Sequence, residues 1–222
     1  GCSSGTASSV PVSASSAAES TVSSVEETAS SAVDENEAAA AQLLNDLTGS
    51  YQELWPVILA DEYKQTWLDD CTALVGEDNA EAAFEKLSSM VTGDVYGEDA
   101  VKAYANGGGA YFCGFTNSLA ILTFDGETST ISGTDKDGNV LFSHTYHYIG
   151  MEPVRGLYEF QSDDADSGEF TYFFLAPDTS AETYHIEFRY GSDAEALSQY
   201  DTGEYAYWVA SGISTDCDQT MI

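Results

Sequence analysis

The part of the chain from Tyr111 onward constrains the fold most, because it consists of short stretches rich in β-branched and aromatic residues. Turn-forming sequences separate several of these stretches, among them Asp125-Gly126 and Asp137-Gly138-Asn139. Many short strands joined by turns are typical of an antiparallel sandwich or barrel. The predicted strands are Tyr111–Phe115, Ser118–Phe124, Thr128–Gly133, Val140–Ile149, Gly156–Gln161, Glu169–Leu175, Thr183–Tyr190 and Glu204–Ile213.

The sequence ahead of these strands has helical character. The Ala-rich segment between Asp34 and Asp46 contains strong helix formers, and Gly49-Ser50 ends it. Apolar residues at helical spacing predict two further helices, over Tyr51–Leu59 and from about Ala80 to Met90. The expected fold class is therefore mainly β with N-terminal helices.

The first part of the chain differs in composition from the rest. Residues 2–41 are almost entirely small, polar or acidic, whereas all 14 Tyr, 10 Phe and 3 Trp come later. A stretch without large apolar side chains does not bury enough surface to offset the entropy lost on ordering. We expect residues 1–41 to be a disordered Ser/Ala/Glu-rich tether and residues 42–222 to form one domain.

The charge of the chain restricts its partners. Thirty-eight acidic residues against six basic ones give a formal net charge of −32. Binding to nucleic acid depends on Lys and Arg, and an anionic membrane surface repels such a chain, so neither is an expected partner. Cationic partners, including metal ions, are compatible with this charge, although most of it serves solubility.

The cysteines and the start of the sequence bear on location. No stretch of 18 or more apolar residues predicts a membrane-spanning helix. Cys2, within Gly-Cys-Ser-Ser-Gly and ahead of the Ser/Ala/Glu-rich stretch, resembles the lipid-modified cysteine of mature bacterial lipoproteins. The resemblance implies an extracytoplasmic domain that meets the membrane only through its N-terminal lipid. Cys71 and Cys113 could form a disulfide in an exported protein, and Cys217 could remain a thiol.

The predicted strand Tyr184–Gly191 carries the main functional signal. Because side chains alternate along a strand, His185, Glu187 and Arg189 share one face, and the apolar side chains share the other. An imidazole and a carboxylate two residues apart could converge on one cation. The alternative is a structural cluster in which Arg189 pairs with Glu187.

Three segments together resemble the ZinT/YodA family of exported zinc-binding proteins, which have a calycin-like β-barrel. They are Gly49-Ser-Tyr-Gln-Glu-Leu-Trp-Pro56, the run Tyr146–Phe160 and the run Phe170–Asp193. The likeness extends over roughly Leu43 to Ile213, and its most specific part is the last segment. The resemblance implies a calycin/lipocalin-like antiparallel barrel for residues 42–222 and zinc as the bound metal.

The family's metal motif contains histidines that fall on Ala176, His185 and Glu187 of this chain. One histidine is kept, one is replaced by an oxygen ligand, and one is missing. Two ligands do not complete a zinc site. Asp178 and either His144 or His147, which lie on opposite faces of their strand, are candidates to complete it, and the predicted set is His185, Glu187, Asp178 and His147.

The leading hypothesis is an extracytoplasmic, monomeric lipoprotein that binds a divalent metal, zinc, for acquisition or buffering. A metal-uptake transporter is a conceivable partner. The alternatives are a metal-free calycin-like domain that binds a small apolar or glycan ligand at the barrel mouth, and a structural envelope protein. No nucleophile motif or catalytic triad is present in the sequence, so we do not expect an enzyme.

Overall fold

The computed structural model describes residues 35–177 and 185–216. Cys2, Asp178 and Cys217, which the sequence singled out, lie outside the described residues. The chain divides into two compact units, Gly1–Gln42 and Leu43–Ile222. A helix over 35–46 (α1) agrees with the helix predicted from the Ala-rich sequence there.

The second unit contains a closed antiparallel barrel in which each strand pairs with the next and the last pairs with the first. This arrangement confirms the expected calycin-like fold of mainly β structure. The strands are β1 (Gly49–Glu53), β2 (Ile121–Asp125), β3 (Thr130–Thr134), β4 (Val140–Met151), β5 (Tyr158–Ser162), β6 (Tyr172–Leu175), β7 (His185–Gly191) and β8 (Ala210–Ser214).

Aromatic side chains fill the inside of the barrel. Alternation along β7 points Phe188 and Tyr190 inward, and Phe173 of the neighbouring strand stacks on Tyr190 with ring centres 5.2 Å apart. Phe142 of β4 stacks on Phe170, in the connection between β5 and β6, at 4.1 Å. These stacked rings bury the large apolar surface that stabilises the fold.

The segment over 111–120, which precedes β2, covers part of the barrel interior. The amide of Thr116 donates to the hydroxyl of Tyr190, and that hydroxyl donates back to the carbonyl of Thr116. The ring of Phe115 packs on Phe188, and Leu119 is buried beside Gly133. This covering segment was predicted to begin with a strand, Tyr111–Phe115, but Phe112 makes only isolated bridges, so that prediction is wrong.

The predicted helix Tyr51–Leu59 is wrong in its first part, because Gly49–Glu53 is strand β1. Tyr51 pairs with Leu122 on one side and with Ser214 on the other, and its ring packs edge-on against Phe124. Pairing on both sides closes the barrel, and this tertiary gain outweighs the helical pattern of the local sequence. The helical part is limited to α2 (Leu54–Ile58).

In the part of the chain that the structure describes, four further α-helices lie outside the barrel wall. They are α3 (Lys64–Val75), α4 (Ala80–Val91), α5 (Glu98–Ala103) and α6 (Ala194–Leu197). Helix α4 confirms the helix predicted from about Ala80 to Met90, whereas α3 was not predicted. Cys71 is buried in α3, and both it and Cys113 are thiols, so no disulfide joins them. None of the described helices is long and apolar enough to cross a membrane.

Candidate functional site

His185 and Glu187 lie on the outer face of β7, because the alternating Ile186 and Phe188 fill the inside. In the register of the barrel, His185 is opposite Ile213 and Glu187 is opposite Ser211. Residues two apart on a strand have Cα atoms about 7 Å apart, so both side chains can reach one ion above the sheet. The Glu187 side chain is exposed, and His185 is half-buried.

Arg189 shares that face but forms no ion pair with Glu187, so the alternative in which these two residues pair is wrong. Arg189 is fully buried, and the guanidinium lies over the ring of Tyr200, 4.3 Å from its centre. Burial lowers the pKa of Arg189, and hydrogen bonds to backbone oxygens compensate the buried charge. The four acceptors are the carbonyls of Trp208, Leu197, Gln199 and Tyr205.

A cleft of about 360 Å³ opens beside Glu187 on the outside of the barrel. Its floor is formed by three apolar residues, Leu157, Ala176 and Val209. These residues are nearly buried, with 5%, 6% and 7% of their surface exposed. The remaining lining residues include Arg155, which follows β4, so the cleft combines an apolar floor with one basic and one acidic side chain.

Arg155 is held in place by neighbouring groups. Its guanidinium carbon lies 4.7 Å from the ring centre of Tyr200 and 5.5 Å from that of Tyr111. Its amide donates to the carboxylate of Glu152, which is fully buried and also accepts the hydroxyl of Tyr200. Within 35–177 and 185–216, no carboxylate lies at ion-pair distance from the Arg155 guanidinium.

Cys113 lies close to both charges of the cleft. Burial first, and then the carboxylate of Glu187, raise the pKa of the Cys113 thiol to about 11, while a hydrogen bond with Ser211 and the charge of Arg155 act in the opposite direction. The thiol is therefore protonated at neutral pH and is a poor nucleophile and metal ligand in this state. The sequence did not indicate that Cys113 or Arg155 lies beside Glu187, because both follow loops whose course depends on the closed barrel.

His147 lies far from His185 and Glu187. Strand pairing places His147 opposite Gln161 of β5, Gln161 opposite Tyr172 of β6, and Tyr172 opposite Gly191 of β7. Glu187 is therefore about 14 Å away across three strand spacings and about 13 Å away along the strand direction. Metal–ligand bonds are about 2 Å long, so these two residues do not bind one ion in this fold.

The two histidines of β4 instead pair with the loop that follows β5. His144 Nδ1 lies 2.6 Å from a carboxylate oxygen of Asp164, and His147 Nδ1 lies 2.6 Å from one of Asp163. Hydrogen bonds from Thr145 and from His147 lower the pKa of Asp163. The predicted placement of His144 and His147 on opposite faces of the strand is confirmed, with His144 turned toward Phe142 and Tyr146.

Among the described residues, no group of three or more His, Cys, Asp or Glu side chains is arranged to hold a metal ion. The structure thus brings together two members of the predicted set, His185 and Glu187. Asp178 lies outside the described residues, and its role stays a prediction.

No family model matches the sequence, and no curated protein matches it. Among solved structures, the Zn(II)-bound ZinT-like domain of AdcA from Streptococcus pneumoniae is similar, with 16% identity and a TM-score of 0.49 over 80% of this chain and 88% of that one. Zn(II)-bound AdcA of the same organism shares 16% identity with a TM-score of 0.47, over 79% of this chain and 33% of AdcA. The chain therefore spans about a third of AdcA's length.

Proposed function

We propose that this protein binds a divalent metal ion, zinc, through His185 and Glu187, for acquisition or buffering, and that it is not an enzyme. The observation that carries the proposal is the position of these two side chains on the outer face of β7 while Arg189 turns away from Glu187. The carboxylate is thereby left available for a cation. Imidazole nitrogen and carboxylate oxygen are both zinc ligands.

The remaining ligands in this proposal come from Asp178 and from water. Open zinc sites use three protein ligands and leave the fourth position to water or to another small ligand. His147 is not part of the set, because it belongs to the other end of the barrel. The net charge of −32 favours the approach of cations and supports a role in collecting them.

Calorimetric titration of the full chain with zinc, after chelation and in excess calcium to occupy nonspecific carboxylates, tests the proposal. We expect stoichiometric binding that His185→Ala, Glu187→Gln and Asp178→Asn each weaken by about tenfold or more, since even indirect partners of metal ligands change affinity by about 10–100-fold. His147→Ala is the matched control and leaves the affinity unchanged. No saturable binding by the parent chain, or equal effects of His147→Ala and His185→Ala, would contradict the proposal.

We further propose that the protein acts outside the cytoplasm, tethered through a lipid on Cys2, and passes its metal to an uptake transporter. Support comes from the cysteine within an otherwise small, polar and acidic stretch. Metabolic labelling of producing cells with a fatty-acid analogue tests the tether. Label that is incorporated in the parent and lost in Cys2→Ala is expected, and equal labelling of both would contradict it.

The alternative ligand site at the barrel mouth has less support. Stacked rings of Phe142, Phe170, Phe173 and Tyr190 occupy the interior, and the segment around Thr116 covers it. A cleft of about 360 Å³ is open on the outside of the barrel instead.

A further inference from the structure

We propose that the cleft beside Glu187 binds a small zwitterion with an apolar carbon skeleton, such as an apolar amino acid or a short apolar peptide. In this assignment Arg155 receives the carboxylate, Glu187 receives the ammonium group, and the floor of Leu157, Ala176 and Val209 receives the apolar part. The inference goes beyond metal binding and does not require a metal.

Arg155 has no carboxylate at ion-pair distance among residues 35–177 and 185–216, although the protein is strongly acidic. The chain has 38 acidic residues and two arginines. The guanidinium of the other arginine, Arg189, donates its hydrogen bonds to backbone carbonyls. Arg155 is nevertheless fixed, since it stacks on Tyr200 and Tyr111. A planar guanidinium that is already positioned loses little entropy on binding a carboxylate, which it can hold with two parallel hydrogen bonds.

The floor of the cleft gives the ligand its apolar character. Its three apolar side chains are nearly buried, yet they line a concavity of about 360 Å³. That volume is within the range of small-molecule sites, in which an apolar wall contributes affinity and a few polar groups fix the orientation. A ligand of the size of leucine or of a dipeptide fits these dimensions.

Glu187 makes a zwitterion a better ligand than a simple anion. The carboxylate of Glu187 lines the same cleft as Arg155, and the two act with opposite signs on the thiol of Cys113. An anion that pairs with Arg155 meets both the Glu187 carboxylate and a chain of net charge −32. A ligand with an added ammonium group removes this repulsion and pairs with Glu187.

The test uses probes that share a carbon skeleton and differ in charge. L-leucine carries both charges, 4-methylpentanoate lacks the ammonium group, and 3-methylbutylamine lacks the carboxylate. In the dipeptide L-alanyl-L-leucine, the ammonium and carboxylate groups are farther apart than in leucine. Each probe is titrated into the chelated, ¹⁵N-labelled full chain, and the amide resonances of Ala176 and Val209 report occupation of the cleft.

We expect saturable binding of leucine or of the dipeptide, and binding of both single-charge compounds that is weaker by about tenfold or more. Arg155→Gln should abolish the advantage of leucine over the amine, and Glu187→Gln should abolish its advantage over 4-methylpentanoate. Lys102→Gln and Glu195→Gln change exposed charges elsewhere and serve as matched controls. No saturable binding of either zwitterion, or equal binding of the single-charge compounds, would overturn the proposal.

The variants also separate this proposal from metal binding, although both involve Glu187. Arg155→Gln should weaken the zwitterion and leave zinc affinity unchanged, whereas His185→Ala should do the reverse. If the parent chain does not bind zinc, the proposal for the cleft is therefore unaffected, because the probes are titrated in the presence of chelator.

Discussion

Arg189 lies over the ring of Tyr200, with the guanidinium carbon 4.3 Å from the ring centre, and the other arginine of the chain stacks on the same ring at 4.7 Å. The hydroxyl of Tyr200 donates to the buried carboxylate of Glu152. One tyrosine thus links two cations and one anion on the outside of the barrel. This arrangement turns Arg189 away from Glu187 and places Arg155 at the cleft.

Replacing Arg189 should destabilise the protein strongly. In Arg189→Lys, the ammonium group lacks the planar set of donors that reaches the carbonyls of Trp208, Leu197, Gln199 and Tyr205, so buried acceptors lose their partners. We expect the free energy of unfolding to fall by about 2–4 kcal/mol, measured by urea denaturation. Arg155→Lys, at an exposed position, is the control and should change the free energy of unfolding by less than about 1 kcal/mol. Equal effects of the two substitutions would contradict the structural role of Arg189.

Alkaline pH should destabilise the fold through its buried tyrosines. Burial raises the pKa of Tyr205 from 10.0 to about 12, and it also raises the pKa of Tyr190. Above pH 10 the tyrosines of the unfolded chain release their protons, while those of the folded chain retain them. The contribution of these tyrosines to the free energy of unfolding is therefore fully present below pH 10 and declines as the pH rises toward 12. Urea denaturation as a function of pH should show a shallower decline for Tyr205→Phe than for the parent, and parallel declines would contradict this assignment.

A methyl group added at Gly133 should test how tightly the barrel interior is packed. A Cβ atom at this position would overlap with Cδ1 of Leu119 and with the ring of Phe142. Gly133→Ala should therefore lower the free energy of unfolding by about 1–3 kcal/mol. Ser132→Ala, on the outer face of the same strand, is the control, with an effect below about 1 kcal/mol. A stability of Gly133→Ala equal to that of the parent would show that the interior has spare room.

The sequence predicted most of the strands because their alternation and turns are local. The alternation along β7 correctly placed Ile186 and Phe188 inside and His185 and Glu187 outside. Strand β1 was missed because its pairing with β2 and β8 connects residues far apart in the chain. Local helical spacing is a weaker determinant than closure of the barrel.

The site was predictable only in part, for a similar reason. Alternation indicates the face on which His147 lies, but its level along the barrel depends on the register of four successive strands, which sequence spacing does not determine. Arg189 was expected to pair with a carboxylate because the chain is so acidic. Its neighbours are instead backbone carbonyls, and their positions follow from the course of the chain around α6 and Trp208.

The most direct test of metal binding at β7 is anomalous X-ray scattering at the zinc absorption edge, from crystals of the full chain grown with zinc. We expect an anomalous peak within bonding distance, about 2 Å, of both an imidazole nitrogen of His185 and a carboxylate oxygen of Glu187. Zinc located instead at His147 and Asp163, or no ordered peak near β7 in crystals whose solution sample binds zinc, would contradict this expectation.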